Sequence, residues 1–264
     1  MQNELKLGLA LGSGGAYGFA FLGVLDELEK AKIKVSTISG SSMGAIIGAL
    51  YAGGVTIEQM QKFCKKLKLI NILDLSLGKL GLVKGDKAIR VIKKLMDQYG
   101  VPENIEKLKI KFGAVATDVY TAKSVYFTKG NVLQALRASF SIPGIFRPYE
   151  LDGRLLVDGG PICRVPVRLA KKLGADVVVS LDCVGTNAKY TKEDLNTYSK
   201  LITRIMYIMD YNASKAEIEE ADISINMHQP GVDPINLKNI EKSIEFGHKY
   251  GKQLVKMLKA KYQF

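Results

Sequence analysis

Residues 35–54, VSTISGSSMGAIIGALYAGG, connect a short apolar strand to an apolar helix through a turn of small residues. The turn has the spacing Gly-x-Ser-x-Gly, with Ser42 at its centre and Gly40 and Gly44 on either side. Small residues two positions from a central serine let a strand fold back sharply into a helix, which leaves the serine exposed above the sheet. The pattern predicts a nucleophile elbow at Ser42, and it is equally the pattern of a glycine-rich turn before a helix.

The segments on either side of this turn alternate between strand and helix patterns. Strands are predicted at 5–11, 35–39, 110–119, 124–128, 154–158, 176–182 and 222–227. Helices are predicted at 16–31 and 45–54, between the later strands, within 193–219 and at the end of the chain. This alternation predicts an α/β fold with a mainly parallel central sheet and helices on both faces. Since no repeat or linker interrupts it, we predict one domain over residues 1–264.

The region around 55–100 departs from the alternation and is predicted to be a helical flap. Its middle, INILDLSLGKLGLVKG at 70–85, is apolar and dotted with glycines, and helical patterns flank it. We expect this segment to be mobile and to shelter an apolar group of the substrate.

Composition excludes several classes of protein. Three well-separated cysteines, Cys64, Cys163 and Cys183, do not form a disulfide framework or a CxxC metal motif. Because the chain has only two histidines, we predict no metal, and we predict no cofactor. The absence of a disulfide framework indicates a reducing compartment, so we predict a cytoplasmic location. The uncharged stretch 7–25 resembles a signal peptide or membrane span, but six of its nineteen residues are glycine. It is better explained as a buried strand, a glycine loop and a buried helix.

A formal charge of +12 predicts attraction to anionic surfaces. The chain has none of the sequence motifs of nucleic-acid-binding folds, so we predict no nucleic-acid partner. In the C-terminal helix, apolar residues recur at helical spacing while lysines occupy other directions around it. The apolar set is Tyr250, Leu254, Met257 and Leu258, and the lysines are Lys249, Lys252, Lys256 and Lys259. We expect this helix to dock on the core, with an outer face that can contact an anionic membrane peripherally. The sequence does not determine the oligomeric state.

The first predicted strand runs into LGSGGAYG at 11–18, a glycine cluster that opens a helix. Free N–H groups at such a helix start bind anions. A dinucleotide fingerprint would require glycine where Tyr17 stands, and the lysine of a phosphate-binding P-loop is missing. The alternative anion is the oxyanion of an ester under attack by Ser42, bound at Gly12, Gly14 and Gly15.

A serine nucleophile needs a base, and two candidates remain open. His228 follows the predicted strand 222–227 and would complete the chain order Ser, Asp, His of a triad. Asp158 ends strand RLLVD and is followed by two glycines, which allow close approach of the backbone. His248 lies among lysines in the last helix and is expected to be a surface residue.

Together these elements resemble the patatin-like phospholipase family, in a compact bacterial form related to the neuropathy-target-esterase catalytic domain. Five stretches carry the resemblance: 9–25 with the glycine loop, 38–54 with the elbow, 81–89, 137–160 ending in Asp-Gly-Gly, and VPV at 165–167. The resemblance implies a three-layer α/β/α fold. It also implies a Ser-Asp dyad without histidine, in which Ser42 is the nucleophile and Asp158 the base.

The resemblance implies a serine acyl hydrolase that cleaves carboxylic esters of lipids, of the phospholipase A or lysophospholipase type. Alternatives are a carboxylesterase or thioesterase with a histidine triad, and a catalytically silent lipid-binding regulator. The chain departs from the family pattern at Tyr17, where a basic residue is common, and at Phe21, where histidine is common. Arg164 could restore positive charge near the site or could be a salt-bridged surface residue, and Asp118 is a further candidate at a strand end.

Overall fold

The computed structural model describes residues 5–67, 69–74, 81–185 and 189–262. In these ranges the strands are β1 (Leu7–Leu11), β2 (Val35–Ser41), β3 (Lys111–Asp118), β4 (Lys123–Phe127), β5 (Tyr149–Leu151), β6 (Arg154–Asp158), β7 (Val177–Asp182) and β8 (Ile223–Asn226). The helices are α1 (Ala20–Lys30), α2 (Met43–Ala52), α3 (Ile57–Lys66), α4 (Leu69–Ile72), α5 (Asp86–Gln98), α6 (Val132–Ser139), α7 (Gly160–Cys163), α8 (Val167–Lys172), α9 (Tyr198–Ile218) and α10 (Ile240–Lys261). All seven predicted strands are present, and β5 is an additional strand.

The strands form one sheet in the order β5-β6-β3-β2-β1-β7-β8, with β4 also paired to β3. Strands β3, β2, β1, β7 and β8 run parallel to one another, which confirms the predicted mainly parallel sheet. Strands β4, β5 and β6 pair antiparallel at one end. The alternation of strands and helices did not reveal this antiparallel end, because orientation within a sheet depends on pairing between distant segments.

Helices cover both faces of the sheet because the side chains of each strand alternate between them. In β1, Leu7, Leu9 and Leu11 join the large core cluster that includes side chains of α1, α2 and α10. Ala10 joins the smaller cluster on the other face with residues of α8 and α9. The small residues of β1 on this second face, Gly8 and Ala10, allow α8 to pack closely on the sheet.

The C-terminal helix α10 docks against α1, as the sequence predicts. Leu254 and Leu258 are fully buried. The two helices approach closely at glycines: a Cβ at Gly247 would lie 1.9 Å from the carbonyl oxygen of Ala20, and a Cβ at Gly23 would lie 2.3 Å from that of Ile244. No described helix is both long and apolar enough to cross a membrane.

Strands β2 and β6 lie end to end along one edge of β3, and this arrangement positions the site. β2 pairs with Lys111–Val115 of β3, and β6 pairs with Ala116–Asp118. Strand β4 overlaps both of these segments, so it must occupy the opposite edge of β3. The last residues of β2 and β6 are therefore opposite consecutive residues of β3, which are about 3.3 Å apart along a strand.

The predicted flap region contains α3, α4 and α5. It is joined to the rest of the fold where the backbone of Val83 pairs with that of Phe146. Of the predicted mobile segment 70–85, residues 75–80 lie outside the described residues. Its mobility stays a prediction.

Candidate active site

Ser42 lies on a strained turn between β2 and α2. Its backbone has φ 54° and ψ −121°, a conformation that residues with a side chain rarely adopt. The flanking glycines are required by close approach of the backbone: a Cβ at Gly40 would lie 2.5 Å from the Cα of Ala45, and one at Gly44 would lie 2.3 Å from the carbonyl oxygen of Leu11. The predicted elbow at Ser42 is therefore present, and the glycine spacing is its physical cause.

Hydrogen bonds of the Ser42 backbone stabilise the turn. The Ser42 N–H donates to the Oγ of Ser139 at 2.9 Å, and its carbonyl accepts from the N–H groups of Ala45 and Ile46. Met43 begins α2, and the first N–H groups of a helix have no partner within it. The Met43 N–H, beside Ser42, has no acceptor among the described residues. The sequence analysis did not single out Met43 or Ser139.

Asp158 ends β6 and is 4% exposed. Its Oδ1 accepts a hydrogen bond from the Gly160 N–H at 2.8 Å, whereas no described group donates to its Oδ2. Burial raises the pKa of Asp158 from 3.8 to about 7, although the Ser42 hydroxyl and the Gly160 N–H act against this rise. Ser42 directly follows β2 and Asp158 ends β6, so the pairing of these strands with β3 brings both residues to the same cavity.

A second buried carboxyl, Asp210 of α9, lies beside Asp158. A Cβ built on Gly160 would be 2.7 Å from Asp210 Oδ2, 3.1 Å from Asp158 Oδ1 and 3.2 Å from Ser13 Oγ, so these three oxygens surround one small region. Burial raises the pKa of Asp210 to about 6, against the lowering effect of Arg164. The negative charge of Asp210 in turn raises the pKa of Asp158. The sequence analysis missed Asp210, because a lone aspartate within a long helix has no motif around it.

The glycine loop follows β1, and its N–H groups divide into two sets. The N–H of Gly12 donates to the carbonyl of Leu181 at 3.0 Å, and that of Ser13 donates to the carbonyl of Arg164. The N–H groups of Gly14 and Gly15 have no acceptor among the described residues. Gly15 has φ +55°, and a Cβ there would lie 2.4 Å from the carbonyl oxygen of Pro234.

A cavity of about 590 Å³ opens beside Ser42, and we call it the Ser42 cavity. Its polar end is formed by Ser13, Gly14, Gly15, Ser42, Met43, Asp158 and Asp210. Most of the other lining residues come from α2, α3, α5, α9 and the segment between α6 and β5, and most of them are apolar; they include Leu50, Phe63, Ile92 and Phe146. Gly12 does not line this cavity, whereas the other predicted site residues do.

The two histidines lie away from the Ser42 cavity. His228 is exposed and lines a neighbouring surface cavity, which shares part of its lining, including Tyr207 and Pro234, with the Ser42 cavity. Its backbone N–H donates to the Tyr250 hydroxyl. No histidine lines the Ser42 cavity in the described ranges. His248 is partly buried and its Nδ1 lies 2.8 Å from Glu27 Oε1. His248, Asp26 and Glu27 lie close enough together to share a metal ion, and among the described residues no other group of three does.

The structure also places Arg164, Asp118, Tyr17 and Phe21, four further residues that the sequence analysis named. Arg164 is fully buried and bonded to Asp182 Oδ1 at 2.5 Å, so the expected salt bridge is present but its surface location is wrong. Asp118 accepts hydrogen bonds from the Tyr120 N–H and the Thr121 hydroxyl in the turn after β3, and it does not line the Ser42 cavity. Tyr17 and Phe21 are both buried.

The structure is thus an α/β protein in which a serine on a strand-to-helix turn, a buried carboxyl and two loop N–H groups without a described acceptor line one cavity. The chain belongs to the patatin-like phospholipase family, whose model matches residues 9–171. This confirms the resemblance stated from the sequence motifs.

Relatives and solved structures agree with this assignment. The chain is 36% identical over 186 residues to an uncharacterised NTE family protein of Mycobacterium tuberculosis, covering 69% of this chain and 50% of the relative. It is 28% identical over 286 residues to lysophospholipase NTE1 of Phaeosphaeria nodorum, covering 96% of this chain and 18% of the relative. The chain thus spans about half the length of the mycobacterial relative and less of the fungal one.

The structure of VipD from Legionella pneumophila has the same fold, with a TM-score of 0.64 and 16% identity. The alignment covers 96% of this chain and 67% of VipD. At this identity the likeness shows the fold, which confirms the predicted α/β architecture.

Proposed function

We propose that the chain is a serine acyl hydrolase that cleaves carboxylic esters of lipids, of the phospholipase A or lysophospholipase type. The observation that carries the proposal is the pairing of Ser42, on a strained elbow, with buried Asp158, whose pKa is about 7, at the polar end of an apolar cavity. A general base is most effective when its pKa lies near the working pH. An ordinary surface aspartate would be too weak a base for a serine hydroxyl.

The reaction proceeds in two acyl-transfer steps. Asp158 accepts the hydroxyl proton while Ser42 Oγ attacks the ester carbonyl carbon, and the carbonyl oxygen becomes an oxyanion. The C–O bond to the alcohol or lysophospholipid then breaks, and this group leaves with the proton from Asp158. Water next attacks the acyl-serine and gives a proton to Asp158. The bond between the acyl carbon and Ser42 Oγ then breaks, Oγ takes the proton back from Asp158, and the fatty acid leaves. No cofactor takes part in these steps.

We assign the oxyanion donors to the N–H groups of Gly14, Gly15 and Met43. The first two have no described acceptor and line the Ser42 cavity, and the third is free at the start of α2. The N–H after an elbow nucleophile is a recurrent oxyanion donor. Each donor aimed at the developing charge contributes about 3 kcal/mol to the lowering of the barrier. Gly12 has a packing role in this assignment, because its N–H is bonded to Leu181.

The apolar cavity supports a lipid acyl group as the bound part of the substrate. A volume of about 590 Å³ falls in the range of sites for small organic ligands. Its lining from α3 and α5 gives the predicted flap region a role in sheltering the chain. The name of the fungal relative, lysophospholipase NTE1, supports the same substrate class.

The Ser-Asp dyad is favoured over a histidine triad. His228, the histidine that would complete the chain order of a triad, is exposed in a neighbouring cavity and does not line the Ser42 cavity. The pairing of β2 and β6 with one edge of β3 supports Asp158 as the base, because it brings the ends of the two strands together. The Ser42 and Asp158 pair also favours an active enzyme over a silent lipid-binding regulator.

Labelling with a fluorophosphonate tests the proposal. Wild type should be labelled and should hydrolyse a soluble short-chain ester, and Ser42→Ala should do neither. Ser41→Ala is a matched control, because its buried hydroxyl has no described hydrogen-bond partner and does not line the Ser42 cavity. It should retain label and turnover. Equal labelling of Ser42→Ala and wild type would refute the site.

A further inference from the structure

The outward face of the long helix α9 is apolar. Six side chains are exposed: Tyr198 by 81%, Leu201 by 43%, Ile202 by 37%, Ile205 by 42%, Ile208 by 43% and Met209 by 64%. At about 100° per residue, all six fall within an arc of roughly 120° around the helix. We call these six residues the α9 stripe.

Three of the four buried residues of α9 are polar, unlike the buried positions of an ordinary surface helix. These three residues are Asp210, Ser214 and Glu217. Ser214 Oγ accepts a hydrogen bond from the Arg164 N–H at 2.7 Å, and Glu217 Oε1 accepts one from the Arg168 N–H at 2.9 Å. These bonds fix the rotation of α9 about its axis. The helix therefore cannot turn to bury the α9 stripe without leaving buried polar groups unpaired.

The α9 stripe is continuous with the mouth of the Ser42 cavity. Tyr198 and Ile202 belong to the stripe and also line the cavity. Two more side chains line the cavity while being exposed, Leu82 by 67% and Ile235 by 40%. Exposed apolar side chains thus extend from the rim of the cavity along the outward face of the helix.

We propose that the α9 stripe docks on a lipid surface and delivers a lipid chain from that surface into the Ser42 cavity. This inference rests on the proposed function. A second copy of the chain or a protein partner seated on the stripe would cover Tyr198 and Ile202 and obstruct the cavity mouth. A lipid surface in the same place supplies the substrate, and a tyrosine is well suited to the boundary between lipid and water.

The basic charge of the chain acts together with the stripe. A net charge of +12 attracts the protein to anionic lipid, while the apolar contacts are independent of charge. Helix α10 offers only the first of these contributions. Lys252, Lys256 and Lys259 are exposed on it, but none of its described side chains is an exposed large apolar residue.

The test measures adsorption to vesicles in a Ser42→Ala background, so that lipid is not consumed. Vesicles are made of phosphatidylcholine alone, or of phosphatidylcholine with phosphatidylglycerol. The stripe variant combines Leu201→Gln, Ile205→Gln and Ile208→Gln, three positions that do not line the Ser42 cavity. Its adsorption should be roughly tenfold weaker on both kinds of vesicle, because each exposed apolar side chain adds to interfacial binding.

The matched control combines Lys252→Glu, Lys256→Glu and Lys259→Glu on α10. It should lose adsorption only on the anionic vesicles, in a manner that added salt reproduces in the parent. A second stripe variant, Ile208→Gln with Met209→Gln, repeats the test with fewer changes. Circular dichroism, and turnover of a soluble short-chain ester in otherwise wild-type versions of each variant, should be unchanged.

The inference would be overturned if both stripe variants adsorbed as strongly as the parent. It would also be overturned if the parent bound neither kind of vesicle. Light scattering that shows a dimeric parent and monomeric stripe variants would overturn it too, because the stripe would then be an interface between copies. These results are separate from the test of the proposed function. If Ser42→Ala kept full ester turnover, the proposed function would fail even where the stripe adsorbs as expected.

Discussion

Replacement of Asp158 by asparagine should stabilise the fold while it abolishes turnover. The amide has nearly the same shape as the carboxyl group and cannot accept the proton of Ser42, so kcat should fall by several orders of magnitude. The gain in stability arises because burial makes the charged carboxylate unfavourable in the folded protein. Its pKa rises from 3.8 to about 7 on folding.

The sign and size of the effect follow from proton linkage. Between pH 4 and pH 7 the folded protein holds a proton on Asp158 that the unfolded chain has released, so its free energy of unfolding falls as the pH rises. At roughly 1.4 kcal/mol for each tenfold change in proton affinity, the full penalty above pH 7 is about 4 kcal/mol. Asparagine does not titrate and escapes this penalty.

Thermal and denaturant unfolding of wild type and Asp158→Asn across this pH range measure the difference. The two proteins should be nearly equal in stability around pH 4, and the variant should lead by about 4 kcal/mol, or roughly 8 °C in Tm, at pH 8. Asp118→Asn is the matched control, since its carboxylate accepts two hydrogen bonds in a turn and its replacement should not stabilise. A pH-independent difference for Asp158→Asn, or a loss of stability at pH 8, would refute the burial argument.

Three further predictions concern the pH dependence, the glycine loop and the histidine. The kcat/KM for a soluble ester should rise with pH through about 7, because the base must be unprotonated. Asp210→Asn should move the midpoint of this profile to lower pH, because it removes the charge that raises the pKa of Asp158. An unmoved midpoint would contradict this coupling. Gly15→Val should abolish turnover, because its Cβ would lie 2.4 Å from the Pro234 carbonyl oxygen at φ +55°, and retained turnover would place the oxyanion donors elsewhere. His228→Ala should leave kcat/KM within about twofold of wild type, since His228 lies outside the Ser42 cavity, and a loss comparable to that of Asp158→Asn would restore the triad.

The sequence by itself determined the parts of this protein whose conformation depends on neighbouring residues. The turn at Ser42 requires small residues two positions away on each side, and this requirement is visible as Gly40 and Gly44. The glycine loop can likewise be recognised in the sequence, because only glycine tolerates both the φ of Gly15 and the close contact with the Pro234 backbone. Alternating strand and helix patterns were sufficient for the α/β class and the two-faced sheet.

Only the tertiary structure decided which distant residues meet. Asp158 and Ser42 come to the same cavity because β2 and β6 share one edge of β3 in consecutive register, and no local sequence pattern specifies this pairing register. Asp210 has no motif, and it enters the site because α9 turns its polar face inward. The same rotation leaves Ile205 and its neighbours in the α9 stripe exposed, although their apolar character in the sequence suggests burial. A hydrophobic pattern states which side chains share a helix face, but the contacts of the folded chain determine where that face points.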